Sequence, residues 1–291
     1  LLLAETGGTT PFRFSTHVGD VGHMLVVGPT GAGKSVLLAL MALQFRRYAG
    51  AQVYVFDKGG SARAAVLAMS GRHHALGIGG ALAFQPLRHI DDPVVRSWAA
   101  EWIAGLLAHE KVVLTPEVKE VVWSALGNLA SAPPAERTIT GLSVVLQSNA
   151  LRSALAPYTL EGSYGALLDA EADALALADV QCFEMEALMQ EAGAVLPVLT
   201  YLFHRLEARF DGRPTLLVLD EAWLFLDNPL FAGRIRDWLK TLRKKNVAVV
   251  FATQSLADIA DSSIAPALIE SCPQRIFLPN DRALEPQSRD A

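Results

Sequence analysis

Cysteine is scarce in this sequence. Cys182 and Cys272 are the only two in 291 residues, too few for a disulfide framework and in keeping with a reducing cytoplasm. His17, His23, His73 and His74 have no partners at metal-ligand spacing, so no structural metal site is expected. An excess of positive charge is missing as well. Against 25 lysines and arginines stand 30 aspartates and glutamates, a formal charge of -5, which disfavours a dominant electrostatic grip on nucleic acid and leaves only a local basic patch open. Long hydrophobic runs are also absent. Although 51% of the residues are hydrophobic, runs such as 215–219 and 247–252 are far too short to span a bilayer. The opening Leu-Leu-Leu-Ala-Glu-Thr-Gly-Gly lacks the basic and apolar regions of a secretory leader. The chain reads as a soluble globular piece cut from a longer one.

What is present is a set of short, continuous Val- and Leu-rich runs at 23–27, 52–56, 215–219, 248–252 and 274–278. Without polar alternation these predict buried strands of a mainly parallel sheet covered by helices on both faces, an α/β core. Residues 57–214 separate the second run from the third, far more than one crossover helix requires. Within that interval Trp98, Trp102, Ile103, Leu106 and Leu107 recur at helical spacing. Thr115 with Pro116 announces a second helix, and Thr140 is expected to cap a third. The division expected is a first core segment at 1–90, an inserted helical subdomain at 91–160, and a second core segment at 161–291. That last segment resumes at 180–185 with a helix bearing Leu199, Leu202, Phe203 and Leu206.

The strongest signal is Gly28-Pro29-Thr30-Gly31-Ala32-Gly33-Lys34-Ser35. It fits the G-x-x-x-x-G-K-[ST] phosphate loop and lies between a predicted strand and a predicted helix, where the mechanism needs it. Such a loop turns backbone N–H groups and a helix N-terminus toward phosphates, with Lys34 on the β and γ oxygens and Ser35 offering its hydroxyl to Mg²⁺. ATP and Mg²⁺ are therefore the expected ligands. Asp220 and Glu221 follow the run 215–219. In the chemical reading Asp220 holds the Mg²⁺ hydration shell and Glu221 is the general base; in the bland one both cap the next helix. Gln254, after the run 248–252, is a candidate γ-phosphate sensor or a capping amide. Asp57 either supports the phosphate loop or shapes a turn. On the helix expected over 230–245, with Phe231, Ile235, Trp238, Leu239 and Leu242 buried, the terminal cations Lys244 and Lys245 suit the negative helix end.

With these residues placed, the chain resembles the ATPase domain of TrbE-type conjugative-transfer and type IV secretion ATPases. The likeness runs nearly end to end. It rests on Thr10-Pro11-Phe12, on the segment from His17 to His23 leading into the phosphate loop, on Phe56-Asp57-Lys58-Gly59 and Phe183-Glu184-Met185, and on Asp220-Glu221-Ala222-Trp223. The segment from Leu239 to Asn246, Ala252-Thr253-Gln254-Ser255, and Ile276 through Asn280 complete it. The resemblance implies a RecA-like P-loop NTPase core with an all-helical insertion. It also implies self-association, often as hexamers, with other secretion components at the bacterial inner membrane, where such motors lie peripherally on the cytoplasmic side. The family is related to ring-shaped DNA pumps of the FtsK and HerA kind, in which an arginine between the acidic pair and the glutamine completes a neighbour's site. Arg243 occupies that interval, and Arg275 is a second candidate. A DNA-translocating motor with weak nucleic-acid binding and a nucleotide-binding scaffold without turnover are the competing expectations.

Overall fold

The structure, a computed structural model, describes residues 2–8, 10–226, 229–260 and 262–280. In chain order it contains β1 (Leu2–Ala4), β2 (Phe12–Phe14), β3 (Met24–Val27), α1 (Lys34–Phe45), β4 (Gln52–Asp57), α2 (Arg63–Ala68) and β5 (Arg72–Ala75). Helices α3 (Pro93–His109), α4 (Pro116–Leu129), α5 (Ile139–Val145), α6 (Asn149–Leu155) and α7 (Gly165–Leu168) follow, then β6 (Val180–Glu184) and α8 (Ala192–Glu207). The last stretch holds β7 (Thr215–Leu219), α9 (Trp223–Leu226), α10 (Pro229–Thr241), β8 (Val247–Thr253), α11 (Ala257–Ala260), α12 (Ala265–Ser271) and β9 (Gln274–Phe277). A 3₁₀ turn, Leu242–Lys245, joins α10 to β8. The chain divides into two compact units: Leu1–His74, Ala178–Glu184 and Ala208–Ala291 make the first, and Ala75–Leu177 with Met185–Glu207 makes the second.

The first unit is built on a seven-stranded sheet of order β5-β6-β4-β7-β8-β3-β9. β3 pairs in parallel with β8 and β9, β4 with β6 and β7, and β7 with β8. The strands expected at 23–27, 52–56, 215–219 and 248–252 are all present and almost wholly buried. One face, carrying Met24, Val26, Val53, Val55, Leu216, Val218, Val250 and Ala252, packs on Leu38, Met41, Ala42 and Phe45 of α1 and Val66 of α2. Aromatic groups fill the other: Phe56 meets Phe183 and Phe225, and Phe225 meets Phe231. Removing so much apolar surface from water is the main stabilising term of such a core.

The run at 274–278 departs from the buried type expected of it. β9 alternates between half-buried and exposed positions, and Phe277 is 58% exposed. As the end strand it has one paired edge, and only its Ile276 side packs against the core. Continuous burial belongs to interior strands. β5 and β6 add to the five runs read from the sequence, and β5, with the pattern Arg-His-His-Ala, gave no hydrophobic signal at all.

The second unit is helical among its described elements, and α3 and α4 occupy the stretch where helices are expected. Asp92 caps α3 by accepting from the Val94 N–H at 2.7 Å, with Pro93 at the first helical position. Thr115 does the same for α4 through the Val118 N–H at 3.3 Å, ahead of Pro116. Both ends satisfy N–H groups that a helix cannot satisfy itself. The third cap is Thr138, not Thr140: Thr138 Oγ1 accepts from the Gly141 N–H at 3.0 Å. Thr140 lies inside α5 and donates its hydroxyl and its N–H to the buried carboxylate of Asp169, which also takes the Ile139 N–H. The unit is wider than 91–160, taking in 75–90 and 161–177 as well as α8. Of the segment 161–291, residues 281–291 lie outside the described residues.

Candidate phosphate-binding site

β3 ends at Val27, and the chain turns through Gly28 to Gly33 into α1. Gly31 and Gly33 have φ of 86° and 90°, conformations that an L side chain rarely adopts, and Gly33 stands at the N-cap position of α1. These two left-handed residues let the loop curl so that its N–H groups and the positive end of α1 face one point. The loop is tied to the sheet by the Gly28 N–H, which donates to the Thr253 carbonyl at 3.1 Å.

Lys34 opens α1 and is 93% buried, being only 7% exposed. Its Nζ lies 2.9 Å from Glu221 Oε1 and 3.3 Å from Asp220 Oδ1. Those carboxylates come from the carboxyl end of β7, two strands away across β8. From the end of β8 comes Gln254, whose Nε2 donates to Glu221 Oε1 at 3.0 Å while its Oε1 accepts from the Thr30 hydroxyl at 3.1 Å. Trp223 Nε1 donates to the other oxygen, Glu221 Oε2, at 2.7 Å. Thr30, Lys34, Asp220, Glu221 and Gln254 thus form one polar network at the carboxyl ends of three strands, where open α/β sheets hold ligands.

Its two acids differ electrostatically. Burial raises the Asp220 carboxyl above its ordinary range, opposed by Lys34 and reinforced by the negative charge of Glu221. Burial also pulls Glu221 upward, but hydrogen bonds from Gln254, Lys34 and Trp223 outweigh it and leave this carboxyl below its ordinary value. Glu221 therefore remains ionised at neutral pH. It also has a φ of 56°, left-handed backbone that a non-glycine residue enters at a cost of about 1–2 kcal/mol. Among the described hydrogen bonds, the Asp220 carboxylate accepts the Glu221 N–H at 3.1 Å and the Glu221 carboxylate takes side-chain donors.

Asp57, fully buried, accepts from Ser61 Oγ at 2.7 Å and from the Ala62 N–H at 2.9 Å. It shapes the turn after β4, and it also lines one cleft with Ser35 and Asp220. Most of that cleft's lining is apolar, and the Ser35 hydroxyl with the Asp57 and Asp220 carboxylates are the oxygen donors in it that a divalent cation would use, while the curled loop with its lysine suits phosphate oxygens. Both expected ligands fit the residues present.

Arg243 is not part of this network. It lies in the turn before β8, at the strand end opposite Gln254, 44% exposed and 3.4 Å from the Asp20 carboxylate. Arg275, on β9, donates to the Ile269 carbonyl at 2.8 Å. The sequence reading had Thr30 in the phosphate loop without its bond to Gln254, and it missed the Trp223 indole and Lys58, whose Nζ sits 5.6 Å from the Trp223 ring centroid. All three lie inside quoted motifs; the Thr30 and Lys58 contacts cross strands, which no spacing rule announces, and the Trp223 contact spans two residues of one turn.

Residues 144–285 match the TraG P-loop domain model. Over 99% of its length the chain is 47% identical to conjugal transfer protein TrbE of Rhizobium radiobacter, covering 36% of that protein. Over 97% it is 30% identical to the type IV secretion system protein virB4 of Bartonella quintana, again covering 36%. Along nearly its whole length the chain is similar to these TrbE and VirB4 proteins. It spans little more than a third of the length of these relatives. Its fold agrees with that of VirB4 from Thermoanaerobacter pseudethanolicus, with a TM-score of 0.67 at 19% identity over 94% of this chain and 82% of that one. It agrees also with plasmid coupling protein TrwB in complex with ADP and Mg²⁺, at 0.54 and 20% identity over 86% and 68%. The α/β P-loop fold and the family resemblance read from the sequence are borne out. Among the described residues no helix is long and apolar enough to cross a membrane.

Proposed function

We propose that this domain binds Mg-ATP and hydrolyses it as the motor of a type IV secretion or conjugal transfer system. The observation that carries the reading is the convergence of Lys34, Asp220, Glu221 and Gln254 from three strand ends onto one phosphate loop. In it, the backbone from Gly28 to Ser35 cradles the phosphates, and Lys34 exchanges its carboxylate partners for β and γ oxygens. Ser35 and Asp220 would hold the cation, whose chemistry there would be to neutralise charge on the phosphates. Gln254 turns its amide from Glu221 to the γ-phosphate, and Glu221 accepts a proton from the water that attacks phosphorus as the bond to ADP breaks. The coupling protein TrwB, solved with ADP and Mg²⁺, shares the fold and lends support to the choice of ligands.

The relatives' names place them in type IV secretion and conjugal transfer, and the same setting is proposed here, with self-association into rings, hexamers by preference. Contact with other secretion components and a peripheral seat at the bacterial inner membrane belong to the same proposal. The test separates binding from chemistry. Lys34→Ala should weaken nucleotide binding and abolish turnover. Glu221→Gln should keep Mg-ATP bound while phosphate release falls by about 10²–10⁴, the usual contribution of a general base. Turnover by Glu221→Gln within about threefold of the original would refute the base assignment.

A further inference from the structure

The Glu221 carboxylate has three neutral or cationic donors, and they are not equivalent. Oε1 is shared by Lys34 and Gln254, the two groups that the proposed reaction turns toward phosphate. Oε2 is held by the Trp223 indole alone among the hydrogen bonds of that oxygen described, at 2.7 Å. Trp223 begins α9, two residues beyond Glu221, and the backbone between them is pinned: the Ala222 N–H donates to the Ala252 carbonyl at 2.8 Å and the Leu224 N–H to the Glu221 carbonyl at 3.0 Å. The left-handed φ of Glu221 swings the carboxylate back over its own turn, where the indole can reach it. An indole N–H donates and never accepts, so it cannot take the water's proton. The Lys58 ammonium over the ring face, at 5.6 Å, makes that N–H a better donor and holds the ring in place.

We propose that Trp223 is a positioning residue for Glu221, anchoring Oε2 throughout turnover so that Oε1, once Lys34 and Gln254 turn to phosphate, faces the attacking water. This rests on the assignment of Glu221 as general base. A carboxylate without the anchor rotates about its side-chain torsions, and misplacement of a reacting group by even an ångström is expensive in rate.

The test is Trp223→Phe, which keeps a ring under Lys58 and removes the N–H. Phosphate release should show kcat reduced about tenfold with KM for ATP nearly unchanged, and the acid limb of the kcat–pH profile should move to higher pH, because a carboxylate that loses a donor is more basic. A readout independent of turnover is the indole ¹H–¹⁵N resonance of Trp223, assigned by its absence in Trp223→Phe. It should lie downfield in the original chain, where a carboxylate accepts the proton at 2.7 Å, and move upfield in Glu221→Gln. Failure of the original chain to hydrolyse ATP, or full activity of Glu221→Gln, would overturn the base assignment while the resonance still tests the indole–carboxylate contact. If the original is active and Glu221→Gln is not, an unchanged kcat and acid limb in Trp223→Phe overturn the anchor. So does a resonance that ignores Glu221, or a loss of kcat matched by equal losses in nucleotide affinity and unfolding temperature.

Discussion

His23 stands outside the phosphate site, yet it makes the clearest pH prediction in the molecule. It is 1% exposed, and its Nδ1 accepts from the Val249 N–H at 3.2 Å, so the neutral ring carries its proton on Nε2. Burial lowers its pKa to about 4, with the positive charges of His17 and Arg243 pushing the same way and the Leu239 carbonyl opposing. The folded state thus binds fewer protons than the unfolded one between about pH 4 and the ordinary value of 6.5. Its contribution is fully present above pH 6.5, lost as pH falls, and exhausted near 4. A shift of that size corresponds to about 3 kcal/mol. Denaturant midpoints should fall steeply between pH 6.5 and 4.5 in the original chain and less steeply in His23→Gln. Equal slopes would mean that another group dominates the acid limb. The sequence put His23 at the head of a run expected to be buried, but its hydrogen bond from the Val249 N–H and its lowered pKa depend on what packs on it and were not legible.

Helix ends show how far local chemistry reads and where it stops. Asp92-Pro93 and Thr115-Pro116 are complete signals in themselves, because cap and first-turn proline are neighbours in the chain. The α5 start offers two threonines, Thr138 and Thr140, and the choice is made by Asp169, which recruits Thr140 from a distant part of the chain. Thr138→Ala should cost about 1 kcal/mol, the usual worth of a cap. Asp169→Ala should cost more, since it leaves one buried and two half-buried donors without their acceptor. Urea midpoints of the two variants check the order, and a larger loss for Thr138→Ala would reverse the assignment. α9 supplies the complementary case. Glu221 at φ 56° makes glycine the better fit there, so Glu221→Gly should be about 1 kcal/mol more stable than Glu221→Ala, against the usual helix-propensity order.

At the scale of the whole molecule, the sheet places Arg243 and the phosphate site at opposite ends of β8, so the arginine cannot serve its own chain's site. We propose that in the ring proposed above it acts across a subunit boundary. An arginine neutralising charge on the transferred phosphoryl group is worth roughly three to five decades in rate. Arg243→Ala and Glu221→Gln should each be inactive, whereas mixing them under assembling conditions should restore turnover at interfaces that pair the intact glutamate with the intact arginine. Arg243→Lys should fail too, for want of the planar fork. An assembled Arg243→Ala ring with undiminished phosphate release would leave Arg243 as the surface partner of Asp20. The parallel core was legible because its interior strands are continuous apolar runs. The edge strands β5 and β9 were misread or missed because one-sided pairing removes that signal, and the limits of the helical unit were hidden because α8 returns to it after β6.

The pairing of Lys34 with Glu221 has one more consequence, and it concerns what happens after the bond is broken. A phosphate loop that grips anions through a buried lysine would also grip its products. Here the same carboxylate that stands ready to receive the water's proton lies 2.9 Å from that lysine, so any phosphate on Lys34 faces a tethered rival anion at high effective concentration. The site carries its own eviction device. A chain lacking that charge should hold ADP longer as well as ATP, a slower release that binding measurements with ADP alone would show apart from its slowed chemistry.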